Sequence, residues 1–327
     1  MAETRYRVEA LIQLGVYTIL GIAAARYVYA LDGLFFLIAS WVFIFVTLAG
    51  GWPYSPPLGS LNGSLYRRGL FMTSLTLAAS LATYTASTYL LGGRNLQYMV
   101  VLLLWIVAVW GVVFDSWPLR HLPPSRAFIL GSLTSISLSL VLGVIAANLV
   151  GYELLLRFML VHLALSFMFS RFFVFQGYPF YRKLFRQPRA GVSIMLLCMA
   201  AAAFLSLLIT PDRFPAAAFF SSMLLWSVVY SWGLGFPGTV GYKQPLRGLL
   251  SALVIVVISA AWFSTLLQLL QEALIAVLNL LIILPLMVIH NLFWFRRPFS
   301  PPLLMGMPFH NRDGAGKLMD WALQVVD

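Results

Sequence analysis

Apolar runs of about twenty residues recur along this chain, the length a helix needs to cross a hydrocarbon layer roughly 30 Å thick. Ten stand out, approximately over 8–30, 34–51, 69–91, 97–115, 127–150, 154–175, 190–210, 215–235, 248–270 and 273–295. Separate segments of this length satisfy their backbone groups internally as helices, with no need to close a barrel. The expectation is an all-α, polytopic transmembrane helical bundle of about ten spans. Composition agrees: of 327 residues 61% are hydrophobic and 9% charged, too few to dress a soluble surface. The stretch 11–30 has the Ala-rich end of a signal peptide, but it follows a mixed-charge start and leads into another apolar run, so it reads as the first span.

The connectors alternate. Those after odd-numbered spans are short, as in "ALDG", "GGRNLQ", "GYE" and "TPDRFP", whereas those after even spans are longer, basic and rich in proline. An aromatic-Pro pair closes each even span: Trp52-Pro53, Trp117-Pro118, Tyr178-Pro179 and Phe236-Pro237, with Arg297-Pro298-Phe299 closing the tenth in altered order. The residues before these prolines stand 65, 61, 58 and 61 apart. A near-constant period holding two spans predicts five tandem two-helix repeats, approximately 8–68, 69–126, 127–189, 190–247 and 248–299, all with the same orientation. They form one transmembrane domain over 1–295. The tail, 296–327, carries Leu318, Trp321, Ala322 and Val325 at helical spacing, as a short amphipathic helix on the membrane surface would.

Physical roles follow for the loop motifs. Proline cannot continue a helix interior, so the aromatic-Pro pair stops the even span while its ring anchors at headgroup level. The second proline, in "QPRAG" and "QPLRG", suits a first helical turn. Arg126, Arg189 and Arg247 then lie at the interface, within reach of lipid phosphate or another anion. Gly69, Gly191 and Gly248 open odd spans, where a small residue admits a close neighbour.

The formal charge of +11 would point to nucleic acid in a soluble protein; here the basic residues sit in connectors, and anionic lipid and membrane orientation explain them. Of 21 Lys and Arg, only Arg26, Arg94, Arg157 and Arg213 fall toward the short hairpins. The positive-inside rule therefore places both termini and the long loops in the cytoplasm, and the chain in a cell (inner) membrane. The single cysteine, Cys198, excludes an intramolecular disulfide and any cysteine-based metal cluster.

Buried polar groups are expensive in a membrane and mark function by default. All ten acids lie in tails, connectors or span ends, which disfavours a proton-driven carrier with a midplane carboxylate. No paired carboxylates, HExxH or Gly-rich phosphate loop is present, so no catalytic residue, metal or cofactor is expected. The sixth span is the richest, with Glu153, Arg157, His162 and Arg171. Glu153 and Arg157 are placed to pair at i, i+4, Arg171 to snorkel, and His162 to bond a neighbouring helix or a ligand. His290, followed by Asn291, lies near the inner end of span ten, about 13 Å from His162 in depth by helical rise, which disfavours a shared haem. In span three Thr73, Thr76, Ser80, Thr83 and Ser87 recur at steps of 3 and 4. That hydroxyl stripe serves helix packing or walls a polar path.

Three function classes remain. A transporter or channel for a small polar or anionic solute would bind it with Arg157, His162, Thr76, Ser80, Thr83, His290 and Asn291. A membrane-anchor or assembly subunit would use the basic loops and partner chains. A lipid, quinone or haem redox enzyme needs a dyad the sequence does not offer.

Overall fold

The computed structural model describes residues 2–30, 32–48, 65–171, 173–180, 187–208, 215–239 and 241–290. The expected amphipathic helix of the tail, the expected loops at Trp52 and Arg297, and Asn291 lie outside the described residues. Among the described residues the chain is all-helical, without strands, in ten helices. They are α1 (Ala2–Ala30), α2 (Asp32–Phe43), α3 (65–91), α4 (93–108), α5 (Pro124–Leu149), α6 (Tyr152–Phe169), α7 (Arg189–Leu208), α8 (Ala216–Val228), α9 (Leu246–Leu267) and α10 (Glu272–Val288). Gly92, at φ 70°, breaks α3 from α4. Such a value is open to glycine because it has no Cβ.

Among the described residues six helices are long and apolar enough to cross a membrane: Arg7–Ala25, Asn95–Val113, Ser125–Leu149, Tyr152–Phe169, Arg189–Leu208 and Leu246–Leu267. Gly33–Leu48, Ala216–Ser231 and Glu272–Val288 are apolar but shorter. The expected third span is not among either group, because its hydroxyls lower its hydropathy.

Burial sorts the helices into two layers. Asn95–Val113 is 83% buried and Tyr152–Phe169 56%, whereas Ser125–Leu149, Arg189–Leu208 and Leu246–Leu267 are each 28% buried. α2, α8 and α10 are also largely buried. The five even-numbered helices are therefore inner and the odd-numbered ones outer. The inner helices touch in cyclic order: the turn ending α2 meets the turn ending α4, then come α4 with α6, α6 with α8, α8 with α10, and α10 back to α2. The first and last helices, α1 and α10, also pack together.

Each outer helix lies against this ring along a narrow stripe rich in small side chains and turns its other faces outward. In α7 the buried residues include Gly191, Ile194, Cys198, Ala202 and Ser206; in α9 they include Gly248, Ser251, Ile255, Ser259 and Phe263, each 57 residues later. Leucines on the far side stand out, such as Leu207 at 76% and Leu253 at 62% exposure.

The hydroxyl stripe of α3 is the same device. Thr76 and Ser80 are 1% and 0% exposed, and their hydroxyls donate to the carbonyls of Met72 and Thr76 one turn back. Thr83 donates likewise to Ala79 and accepts the Trp41 indole N–H from α2 at 3.1 Å. The hydroxyls satisfy themselves within the helix, so the small residues pack without an orphaned polar atom.

Two loops repeat one clamp. Gln187 Nε2 donates to the Val113 carbonyl at 3.0 Å while its Oε1 accepts the Gly191 N–H at 3.2 Å. Gln244 donates to the Val174 carbonyl at 3.3 Å and accepts the Gly248 N–H at 3.1 Å. In both, the glutamine caps the free N–H groups of an outer helix and ties that helix to the end of an inner one. The following Pro188 and Pro245 offer their carbonyls to Val192 and Leu249, which starts the helix as proline at that place should. A Cβ on Gly191 would meet the Phe114 ring, and one on Gly248 the Phe175 ring. On α1, Arg7 Nε donates to the Leu234 carbonyl at 3.1 Å, fastening the first helix to the end of α8.

Candidate functional site

At the end of the bundle where the short connectors lie, the inner helices part around a cavity of about 520 Å³. All five line it: Phe36 from α2, Gln97 from α4, one face of α6 between Tyr152 and Leu160, Pro215 to Ala218 at the start of α8 and one face of α10 between Glu272 and Leu281. Helix α8 begins with Ala216, Ala217 and Ala218, which line the opening with small side chains. Helix α8 starts there on Pro215 with no side-chain cap.

The rim is polar and the floor apolar. Glu153, Gln97 and Glu272 are exposed and Arg157 is half-buried, all within the first two turns of inner helices. Deeper, Leu156, Leu160, Ala276, Val277 and Leu280 take over. Beyond Leu160, toward the other end, the ring is filled: Phe167 is 1% exposed, stacks on Phe173 at 4.9 Å and meets Phe43 edge-on at 6.3 Å. The cavity thus opens at one end and is closed at the other by packed side chains.

Of the residues singled out in the sequence, Arg157 lines this cavity, together with Glu153 one turn before it. His162 is fully buried between helices: Trp105 Nε1 of α4 donates to its Nδ1 at 3.0 Å, and Ser166 lies 3.4 Å from Nε2. Thr76, Ser80 and Thr83 face the packing seam described above. His290 pairs with α1, where Gln13 Nε2 lies 3.2 Å from its Nδ1 and the Tyr17 hydroxyl contacts the same nitrogen. The two histidines therefore serve different helix pairs. Arg126 and Arg189 are exposed at the starts of α5 and α7, while Arg247 lays its guanidinium over the Phe236 ring at 4.4 Å.

Several placements were not read from the sequence. Asp115, 5% exposed, receives Arg120 at 2.7 Å and Arg171 at 3.4 Å, so Arg171 reaches a carboxylate where snorkelling was expected. Asn279, 0% exposed, accepts the Trp262 indole N–H at 3.1 Å and donates to Ser222 at 2.9 Å and Ser221 at 3.2 Å, joining α8, α9 and α10. Glu272 and Gln97 looked like ordinary span-end groups; their signal was that each opens an even helix just after a short connector, as Glu153 does. Among the described residues no group of three His, Cys, Asp or Glu is placed to hold a metal. No family model, curated protein or solved structure matches the chain.

Proposed function

We propose that the chain is a multi-pass membrane transporter or channel, and that its small polar solute enters the cavity between the five inner helices. The observation that carries this reading is the cavity itself: every inner helix contributes to it, and a charged rim sits over an apolar floor. Concave sites of roughly 300–1,000 Å³ with few placed polar groups are where small molecules bind. The packed aromatic layer below Leu160 supplies the closed side that alternating access requires.

In the same reading the ten helices are ten spans in five tandem pairs. The 57-residue offset between the α7 and α9 stripes and the duplicated glutamine clamp support it. Both termini and the long loops face the cytoplasm, as the asymmetry of Lys and Arg favours. Arg126, Arg189 and Arg247 meet anionic headgroups there. The membrane is the cell (inner) membrane.

The test is uptake by proteoliposomes offered a mixed pool of small metabolites, with internal solutes read by mass spectrometry. Arg157→Ala should abolish the uptake seen with the unaltered protein and leave its melting behaviour intact. Uptake that survives this change refutes the assignment of the cavity as the solute site.

A further inference from the structure

Among the described residues the cavity floor offers no polar side chain. Below the rim its walls are Leu156 and Leu160 of α6 and Ala276, Leu280 and Leu281 of α10. Polar groups at that depth are turned away and engaged elsewhere: Asn279 bonds Ser221, Ser222 and Trp262, and His162 takes the Trp105 N–H. A hydroxyl, amide or charge carried down to the floor finds no side-chain partner, which is costly in an apolar site. The rim does not choose between charges, because Arg157 is already engaged and Glu153 stands one turn before it on the same helix. Selection falls to the hydrocarbon part of the ligand. From Leu156 to Leu160, and from Ala276 to Leu281, the apolar walls run about 6 to 7 Å at helical rise. A carbon chain advances about 1.25 Å per bond at ordinary bond lengths and angles, so the floor takes about five or six bonds.

We infer that the ligand is a small amphipathic solute, with a polar head at the rim and a hydrocarbon body about five or six bonds long seated among Leu156, Leu160, Ala276 and Leu280. This rests on the cavity being the solute site. Hydrated ions, sugars and other solutes polar throughout are shut out by the floor. Long acyl chains overrun it and meet the packed layer of Phe167 and Phe173. Ala276 and Leu280 set the length of body that fits.

The probes are straight-chain primary amides from propanamide to octanamide. Each carries the same uncharged head, able to donate and accept, on a body that grows by one CH₂ at a time. Binding to the purified full-length protein in detergent is read by calorimetry. The same titration of Ala217→Trp, which fills the cavity, subtracts partition into the micelle. Affinity should rise about fourfold per CH₂ up to hexanamide or heptanamide and then stop rising. Ala276→Leu should end the rise earlier in the series, and Leu280→Ala should end it later. Ala276→Leu adds bulk to a wall that faces open space, and it serves alone if Leu280→Ala does not fold.

An affinity flat along the series, a plateau that Ala276→Leu does not move, or no binding of hexanamide at millimolar concentration would overturn the inference. So would an affinity still climbing at octanamide, which marks a site for the long acyl chain of a lipid. Failure here is separable from that of transport. Amide binding without proteoliposome uptake contradicts transport alone. Uptake of a sugar that Ala217→Trp abolishes contradicts the amphipathic ligand alone.

Discussion

If the two glutamine clamps are copies of one unit, deleting either should cost the same. Gln187→Ala removes a bond to the Val113 carbonyl and one from the Gly191 N–H; Gln244→Ala removes the counterparts at Val174 and Gly248. A typical intramolecular hydrogen bond contributes about 0.5–1.5 kcal/mol net, so each substitution should destabilise by about 1–3 kcal/mol. Among the described residues the two clamps bond different carbonyls and N–H groups, so the double variant should lose the sum to within roughly 0.5 kcal/mol. Reversible unfolding in mixed micelles, followed as the denaturing detergent fraction rises, gives these differences. Gln268→Ala, at an exposed amide, is the control and should stay within about 0.5 kcal/mol of the parent. A large loss at Gln187 with none at Gln244 would refute the equivalence, and with it the main structural support for tandem copies.

Other outcomes follow from buried groups. Asn279→Leu keeps the volume but forfeits bonds to Trp262, Ser221 and Ser222, and at about 0.6 kcal/mol for an average interhelical bond in a membrane protein should lower stability by roughly 2 kcal/mol in the same titration. Gly248→Leu forces a side chain into the Phe175 ring and should cost about 1–3 kcal/mol or more, as overpacking does, while Leu253→Ala on the lipid side of the same helix should leave the bundle intact. Cys198 is 1% exposed on the packing stripe of α7, so a maleimide should label it only after unfolding; rapid labelling of the folded protein would contradict that placement.

Much of the helix layout was legible because apolar length is read directly from sequence: the run proposed at 127–150 is helix Pro124–Leu149, and the one at 190–210 is Arg189–Leu208. The step of 3 and 4 among the α3 hydroxyls correctly gave a face of a helix. It could not give what that face meets, because lipid-facing and ring-facing sides of an outer helix are both apolar and differ mainly in side-chain size. The "QPxxG" motif was legible as a helix start, but attention fell on its arginines. The glutamine's second bond goes to a carbonyl 74 residues earlier at Val113, a pairing invisible to local pattern. The cavity was hidden for a related reason. Glu153, Glu272 and Gln97 are far apart in sequence and gather only once the inner helices close into a ring. His162 attracted notice as a buried imidazole, and it proved to be held by Trp105, whose indole required a partner of its own.

The central claim is that solute passes through the cavity at the axis of the ring. The most direct test is metabolite uptake by proteoliposomes carrying Ala217→Trp, which fills the cavity, beside Leu253→Trp, which adds the same ring to the lipid-facing side of α9. The account predicts that Ala217→Trp abolishes uptake and Leu253→Trp leaves it at the parent level. Equal uptake by both variants would contradict it.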